Sequence, residues 1–145
     1  MASPPNPTML ITRNSSTSQP SINATATLKT FSGGTVYIDL VVPAATTAQA
    51  FGVVNVNFAP GARTHWHTHE KGQLLRVTAG QGWVCDHGGK PVRIGVGDVV
   101  WCPPGTRHWH GADEGHYMVH QAISFGKVEW GEEVGEEEYA RTKRV

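Results

Sequence analysis

Short segments in which apolar and polar positions alternate dominate the chain after residue 30. In "FGVVNVNF" (51–58), Val54, Val56 and Phe58 share one face, and Asn55 and Asn57 share the other. This two-residue period is typical of a half-buried β-strand. Similar β-rich runs, separated by Gly or Pro turns, occupy 35–42, 63–69, 72–80, 82–86, 90–95, 98–102 and 117–124. Short strands at this spacing predict an all-β fold, a sandwich or a barrel.

The two ends of the chain depart from this pattern. Residues 1–30 are rich in Ser, Thr, Pro and Asn, a composition that predicts an extended or partly disordered N-terminal arm. Residues 31–145 are then expected to form a single domain, because this length suits one hydrophobic core. In "GEEVGEEEYARTKR" (131–144) the acidic residues come first and the basic residues last. That order complements a helix dipole, so a short C-terminal helix is predicted.

Charge and hydropathy exclude several classes of partner. Twelve basic residues balance twelve acidic ones in the 145-residue chain, so nothing attracts it electrostatically to nucleic acid or to an anionic membrane. Its apolar runs are shorter than the roughly 18 residues of a spanning helix. The start, "MASPPNPTML", lacks the basic and apolar regions of a signal peptide. We therefore expect a cytoplasmic protein with a small-molecule substrate, no nucleic acid and no membrane as partners.

Histidines form two clusters that suggest a metal site. His65, His67 and His69 fall within five positions, and His108 and His110 form a second His-x-His pair. Along a strand, alternate residues share a face and lie about 6.6 Å apart. We therefore expect the first three side chains to share one face of a strand, with His67 and His69 close enough to bind one ion. Gln73 begins the next run, four residues after His69.

The spacing of these residues resembles that of the cupins. The first cupin motif, G-x5-H-x-H-x3,4-E-x6-G, is matched by Gly61, His67, His69, Gln73 and Gly80. The second motif, G-x5-P-x-G-x2-H-x3-N, is matched by Gly97, Pro103, Gly105 and His108. The resemblance implies a jelly-roll β-barrel with a metal inside it.

Two positions depart from the cupin motifs. Ala112 replaces the last Asn of the second motif, a position that is not a metal ligand in the family. Gln73 stands where most cupins have Glu. The resemblance thus implies one divalent transition metal per chain, held by the neutral side chains of His67, His69, Gln73 and His108. Without a carboxylate ligand the ion keeps its full charge, which strengthens its action as a Lewis acid.

The three-His-one-Gln set is similar to that of small bacterial cupins that include manganese-dependent hydroxynitrile lyases. These enzymes cleave a cyanohydrin into a carbonyl compound and hydrogen cyanide, or form it. The resemblance implies manganese, although imidazole and amide ligands also accept Fe, Co, Ni and Zn. It implies that His120 is catalytic. It also places Val54 and Val56 in the substrate pocket, which Met118 and Ser124 should join because they share a strand face with His120.

His65 is a departure from these lyases, which carry a small residue there. It is a second catalytic candidate, a residue that narrows the pocket, or an idle neighbour of the ligands. Three functions stay open: a metal-dependent lyase of the hydroxynitrile-lyase type, an iron- or manganese-dependent dioxygenase or isomerase, and a non-catalytic small-molecule-binding cupin. Cupin scaffolds support many chemistries, so the fold alone does not decide among them. The resemblance also implies a homodimer.

Overall fold

The structure is a computed structural model that describes residues 20–42 and 50–145, and residues 1, 9 and 11 singly. Its strands are β1 (Ile22–Asn23), β2 (Phe31–Ser32), β3 (Val36–Val42), β4 (Phe51–Phe58), β5 (Arg63–Thr64), β6 (His67–His69), β7 (Gln73–Asp86), β8 (Val92–Gly95), β9 (Val99–Cys102), β10 (His108–Ala112), β11 (Met118–Phe125) and β12 (Val128–Trp130). Its helices are α1 (Ala24–Thr27), α2 (Glu136–Tyr139) and a 3₁₀ helix (Ala140–Arg144).

The strands form a curled antiparallel sheet with two layers that share β7. The first layer runs β1-β3-β4-β11-β7, with β9 on the other side of β7. The second layer runs β7-β10-β5-β2, with β8 paired to β7 and β6 lying between β10 and β12. This arrangement confirms the predicted all-β jelly-roll barrel. The predicted C-terminal helix is also present, as α2 and the 3₁₀ helix.

A bulge lets β7 pass from one layer to the other. Val119 pairs with Ala79, but the next residue, His120, pairs with Val77, so β7 has one extra residue at this point. An extra residue bends a strand and reverses its facing pattern. Gly80 follows at φ +69°, and a Cβ there would lie 1.9 Å from the Tyr117 carbonyl oxygen. The 72–80 and 82–86 runs are therefore one continuous, bent strand.

The facing pattern divides the apolar residues into an inner core and an outer one. The inner core fills one end of the barrel; its buried members are Ala24, Val36, Val56, Phe58, Ala62, Val77, Ile94, Ala112 and Met118. The outer cluster lies beneath the C-terminal segment and comprises Trp66, Trp83, Cys85, Trp109, Val134 and Tyr139. Packing by the C-terminal segment thus explains three of the tryptophans.

Residues 22–27 of the predicted N-terminal arm are folded onto the barrel. Ile22 and Asn23 pair with β3, and Ala24, the first residue of α1, is fully buried. The Asn23 side chain caps α1 by accepting a hydrogen bond from the Ala26 amide. Residues 2–8, 10 and 12–19 of the arm lie outside the described residues. Among the described residues, no helix is long and apolar enough to cross a membrane.

Candidate metal centre

Strand β6 brings His67 and His69 to the barrel interior. Both side chains are buried, and their ring centroids lie 5.1 Å apart. The His67 Nδ1 is 2.9 Å from the His65 carbonyl oxygen. A carbonyl can only accept, so this contact requires a proton on Nδ1 and leaves Nε2 with a free lone pair. His67 therefore presents one nitrogen in the form that a metal needs.

The expectation that His65 shares this face is wrong. Arg63 pairs with Gly111 and His67 pairs with His108, so four steps on one strand match three on its partner. The extra residue breaks the strand at 65 and 66 and reverses the facing pattern, as a bulge does. Thr64 lines the cavity in place of His65, which is half-buried. His65 contributes its main-chain carbonyl, not its ring, to the site.

His108 and Gln73 face each other across the interior from β10 and β7. The His108 Nδ1 is 2.8 Å from the Thr106 carbonyl oxygen, which again leaves Nε2 as the lone-pair nitrogen. That Nε2 is 3.3 Å from the Gln73 Oε1, while the Gln73 amide nitrogen donates to the Ser124 hydroxyl at 3.0 Å. Two acceptor atoms thus point at each other, an arrangement that a shared cation stabilises.

The remaining predicted ligand also lacks a partner. Both ring nitrogens of His69 are buried without a hydrogen bond among the described residues. Burial, followed by the neighbouring His108, lowers the pKa of His69 to about 4. Burial likewise lowers the pKa of His67 and of His108 below the ordinary value. Neutral imidazoles and an amide oxygen are a suitable donor set for a divalent transition metal, so the residues fit such an ion.

His110 is a member of this cluster that was not predicted as a site residue. One ring nitrogen from each of His67, His108 and His110 lies within 4.8 Å of the others, so these three histidines could hold a metal. This set shares two members with the motif-derived set and replaces His69 and Gln73 with His110. Its signal was present in the sequence, because His108 and His110 form a His-x-His pair whose members share a face.

His120 lies beside His110, on the adjacent layer of the barrel. It is fully buried, and its Nε2 is 2.9 Å from the His110 Nδ1. Phe58 packs against it, with ring centroids 5.2 Å apart. Burial lowers the pKa of His120 to about 4, and burial together with the adjacent His120 lowers the pKa of His110 well below its ordinary value. Both rings are therefore neutral near pH 7.

A cavity of about 240 Å³ opens beside these histidines. Its polar lining includes His67, His69, Gln73, His110 and His120. The remaining lining is mostly apolar or aromatic, and no described lining residue is Asp, Glu, Lys or Arg. Such a cavity suits a small, uncharged organic molecule held by a few polar groups.

Three of the four predicted pocket residues line this cavity. Val54, Val56 and Ser124 are in its wall, whereas Met118 lies in the inner core and is fully buried. Met118 shares the strand face of His120 but sits too far along the barrel. The sequence reading missed Trp130, whose ring packs on His67 at a centroid distance of 4.6 Å. Val128 and Trp130 lie on either side of Glu129 in the sequence, and this alternation could have indicated that both face the cavity.

Comparison with known proteins identifies the family. Residues 54–119 match the cupin domain family. Over 112 residues the chain is 50% identical to the (R)-mandelonitrile lyase of Granulicella tundricola, an alignment that covers 74% of this chain and 85% of that protein. The chain belongs to the cupin family.

Solved structures of known proteins share this fold. A cupin-like protein from Thermotoga maritima is 40% identical, with a TM-score of 0.75, and the match covers 79% of this cupin and 88% of that chain. The polyketide cyclase RemF from Streptomyces resistomycificus has a TM-score of 0.64 over 94% of each chain. At 15% identity, that second likeness concerns the fold alone.

Proposed function

We propose that this cupin is a metal-dependent lyase of the hydroxynitrile-lyase type. It would split a cyanohydrin into an aldehyde or ketone and hydrogen cyanide, or catalyse the reverse addition. The observation that carries this proposal is the meeting of a neutral metal-donor set and the buried His120 at one uncharged cavity. The 50% identity to a protein named as an (R)-mandelonitrile lyase supports it.

The cavity favours a neutral substrate with an apolar or aromatic substituent. Phe31 and Trp130 stand together in its wall, with ring centroids 6.1 Å apart. Val54 and Val56 add aliphatic surface. Away from the proposed metal ligands, the described lining has no basic side chain, so a charged substituent there would lose its hydration without gaining a partner, which is costly. A small aryl cyanohydrin such as mandelonitrile meets these conditions.

His67, His69, Gln73 and His108 would hold one divalent cation, and manganese is the metal that we propose. When bound, such an ion polarises a hydroxyl or carbonyl oxygen of the substrate. Hydrogen bonds within the protein orient the proposed ligands before an ion binds. The Ser124 hydroxyl accepts from the Gln73 amide nitrogen, so that the amide oxygen faces His108. The carbonyls of residues 65 and 106 fix the two histidine rings. Partners of this kind orient metal ligands and strengthen binding.

His120 would exchange the proton of the substrate hydroxyl. Its ring lines the cavity, and its Nδ1 is buried with no hydrogen-bond partner among the described residues. Because burial lowers the pKa of His120 to about 4, the ring is unprotonated at neutral pH and free to accept a proton.

Variants of His120 and His65 test this assignment. We expect His120→Ala to keep its metal content and its fold but to lose at least about a hundredfold in turnover, the usual contribution of a general acid or base. His65→Ala is the matched control, because its ring lies outside the cavity wall, and it should stay within a fewfold of the wild type. The assignment is wrong if the two variants respond in the opposite order.

The proposed function itself is tested by elemental analysis and a substrate screen. The purified protein should contain about one divalent transition metal per chain, and the manganese-loaded form should release cyanide from mandelonitrile. Oxygen uptake by the iron-loaded form without cyanide release would favour a dioxygenase instead. Binding without turnover in either form would favour a non-catalytic cupin.

We also propose that the cupin forms a homodimer through the outer face of its first layer. Trp101 is half-exposed there, and its ring lies 6.4 Å from that of Phe125. Phe125 in turn packs against the partly exposed Phe51. Contiguous exposed aromatic surface of this kind typically marks an interface. Sedimentation velocity should give the mass of two chains, and a monomer at micromolar concentration would contradict this proposal.

A further inference from the structure

His110 and His120 form a hydrogen-bonded pair across the interior of the barrel. They come from β10 and β11, which lie on opposite sides of β7 in different layers. The His110 Nδ1 and the His120 Nε2 are 2.9 Å apart, and both rings are buried and line the cavity. Phe58 packs edge-on against the first ring and tilted against the second. Apolar packing thus holds both rings in one arrangement.

Each ring of this pair has one nitrogen without a partner. The His110 Nε2 and the His120 Nδ1 are both buried and make no hydrogen bond to the described residues. The His110 ring also stands beside the metal-binding rings, with centroids 5.1 Å from His67 and 5.6 Å from His108. An unpartnered buried nitrogen is destabilising, so two of them in one pair point to a ligand that they serve.

The bond between the rings makes the two free nitrogens complementary. A neutral imidazole carries one N–H and one bare nitrogen. If the His120 Nε2 donates, then the His110 Nε2 carries a proton and the His120 Nδ1 is bare. If the His110 Nδ1 donates, both assignments reverse. A proton accepted at the bare end therefore shifts the bridging proton and releases a proton at the other end.

We propose that His110 is a second catalytic residue, and that His110 and His120 transfer protons as one unit. The inference rests on the proposed lyase function. The hydroxyl of the cyanohydrin gives its proton to the bare end, and the oxygen lone pair forms the carbonyl as the bond to the nitrile carbon breaks. The bonding pair leaves with cyanide, which takes a proton from the other end. The pair ends neutral with its tautomers exchanged, and water entering between turnovers restores them.

This arrangement solves a problem that one histidine alone would face. If His120 took the proton alone, it would become an imidazolium in a fully buried, largely apolar site. Burying an unpaired charge is far more costly than burying a neutral ring. With His110 as a partner, one proton leaves as another arrives, so neither ring becomes charged. The pair also supplies an acid and a base in the same step, as reversible cyanohydrin cleavage requires.

Substitution of His110 by Asn separates relay from mere packing. In His110→Asn the amide occupies the Nδ1 position and can still bond His120, but no second nitrogen is available to pass a proton on. We expect unchanged metal content and melting temperature, and a loss of about 10²- to 10⁴-fold in mandelonitrile turnover. His120→Asn should lose a similar factor, and the double variant should lose no more than the worse single one, as for residues that act as a unit. His87→Asn, at an exposed position, is the control.

A second measurement does not depend on turnover. In the zinc-loaded protein with ¹⁵N-labelled histidine, NMR should show one solvent-protected N–H shared between the two rings. Near-wild-type turnover by His110→Asn, or additive losses in the double variant, would overturn the proposal. Metal loss in His110→Asn would overturn it too, because His110 would then be a ligand. Absence of cyanide release by the wild type would contradict the lyase function. Absence of a proton shared between the two rings in the NMR spectrum would separately contradict the histidine pair.

Discussion

The two ends of the barrel interior are built from the same strands but differ in chemistry. At the closed end, β4, β7, β10 and β11 contribute Phe58, Val77, Ala112 and Met118, all buried and apolar. At the cavity end, the same four strands contribute Val54, Gln73, His108 and Ser124. The two-residue period of a strand determines which side chains point inward. The position of a residue along the strand determines whether it lies in the apolar core or at the cavity.

The ends also differ in how completely their polar atoms are bonded. Among the described residues, four ring nitrogens at the cavity end are buried without partners: both of His69, one of His110 and one of His120. Each costs about 1–3 kcal/mol. The closed end offsets this cost, since burial of a single large apolar side chain contributes about 1.5–3 kcal/mol. One end thus stabilises the barrel so that the other can keep unpaired donors ready for a ligand.

Removal of a ligand at the cavity end should have the largest effect on function. We expect His108→Ala to lower metal affinity by more than about a hundredfold, because even the outer partners of metal ligands contribute 10- to 100-fold. Cyanide release should fall to background. Metal per chain, measured after dialysis, checks this. His87→Ala, at an exposed position, should keep its metal, and retention of metal by His108→Ala would exclude His108 from the ligand set.

Truncation at the closed end should affect stability instead. Met118 is fully buried among Val36, Phe58 and Val77, so we expect Met118→Ala to lower the free energy of unfolding by about 2–5 kcal/mol. Metal content should not change. Urea denaturation measures this, and Val99→Ala, at an exposed outward position, should change stability little. If Met118→Ala lost substrate affinity without a loss of stability, Met118 would belong to the substrate pocket and not to the core.

Sequence periodicity predicts the strand faces only where the strands are regular. The inward faces of β4 and β11 are as the alternation indicates, from Val54 to Phe58 and from Met118 to Ser124. The alternation fails at His65 and within β7, because an extra residue in each place reverses the facing pattern. Bulges depend on pairing with a distant partner strand, and such pairing is not visible in the local pattern.

The proposed ligand positions come from a different signal in the sequence. The cupin motifs have fixed spacings, and these spacings already include the effect of bulges and strand register. They place the proposed ligands at His67, His69, Gln73 and His108. His110 and Trp130 lie outside those motifs and are placed by tertiary packing, His110 against His120 and Trp130 against His67. Depth along the barrel is likewise set by packing, which explains why Met118, on the strand face of His120, lies in the inner core and not in the cavity wall.

A negative charge at Gln73, at the cavity end, should reduce turnover less than removal of a ligand does. In Gln73→Glu a carboxylate oxygen replaces the amide oxygen that faces His108, so metal affinity should stay equal or rise. Turnover should fall by at least about tenfold, which corresponds to about 1.4 kcal/mol in the barrier, because a negative ligand reduces the polarisation of the substrate. Gln121→Glu, on the outward face of β11, is the control. Unchanged turnover with bound metal would mean that the neutral donor set is incidental.

The smallest effect should come from a carboxylate outside the barrel. Burial raises the pKa of Asp113, but hydrogen bonds from Arg93 and Gln81 outweigh it and hold that pKa well below its usual range.

Because the folded pKa is lower than the unfolded value of about 3.9, this carboxylate stabilises the fold at higher pH. Its contribution is lost as pH falls below about 4, toward the folded pKa. Asp113→Asn should therefore lower the free energy of unfolding at pH 7 by less than about 1 kcal/mol, since Arg93 is half-exposed. The difference from the wild type should shrink as urea denaturation is repeated at lower pH. A difference that grows in acid would have the opposite sign and would contradict the assigned pKa shift.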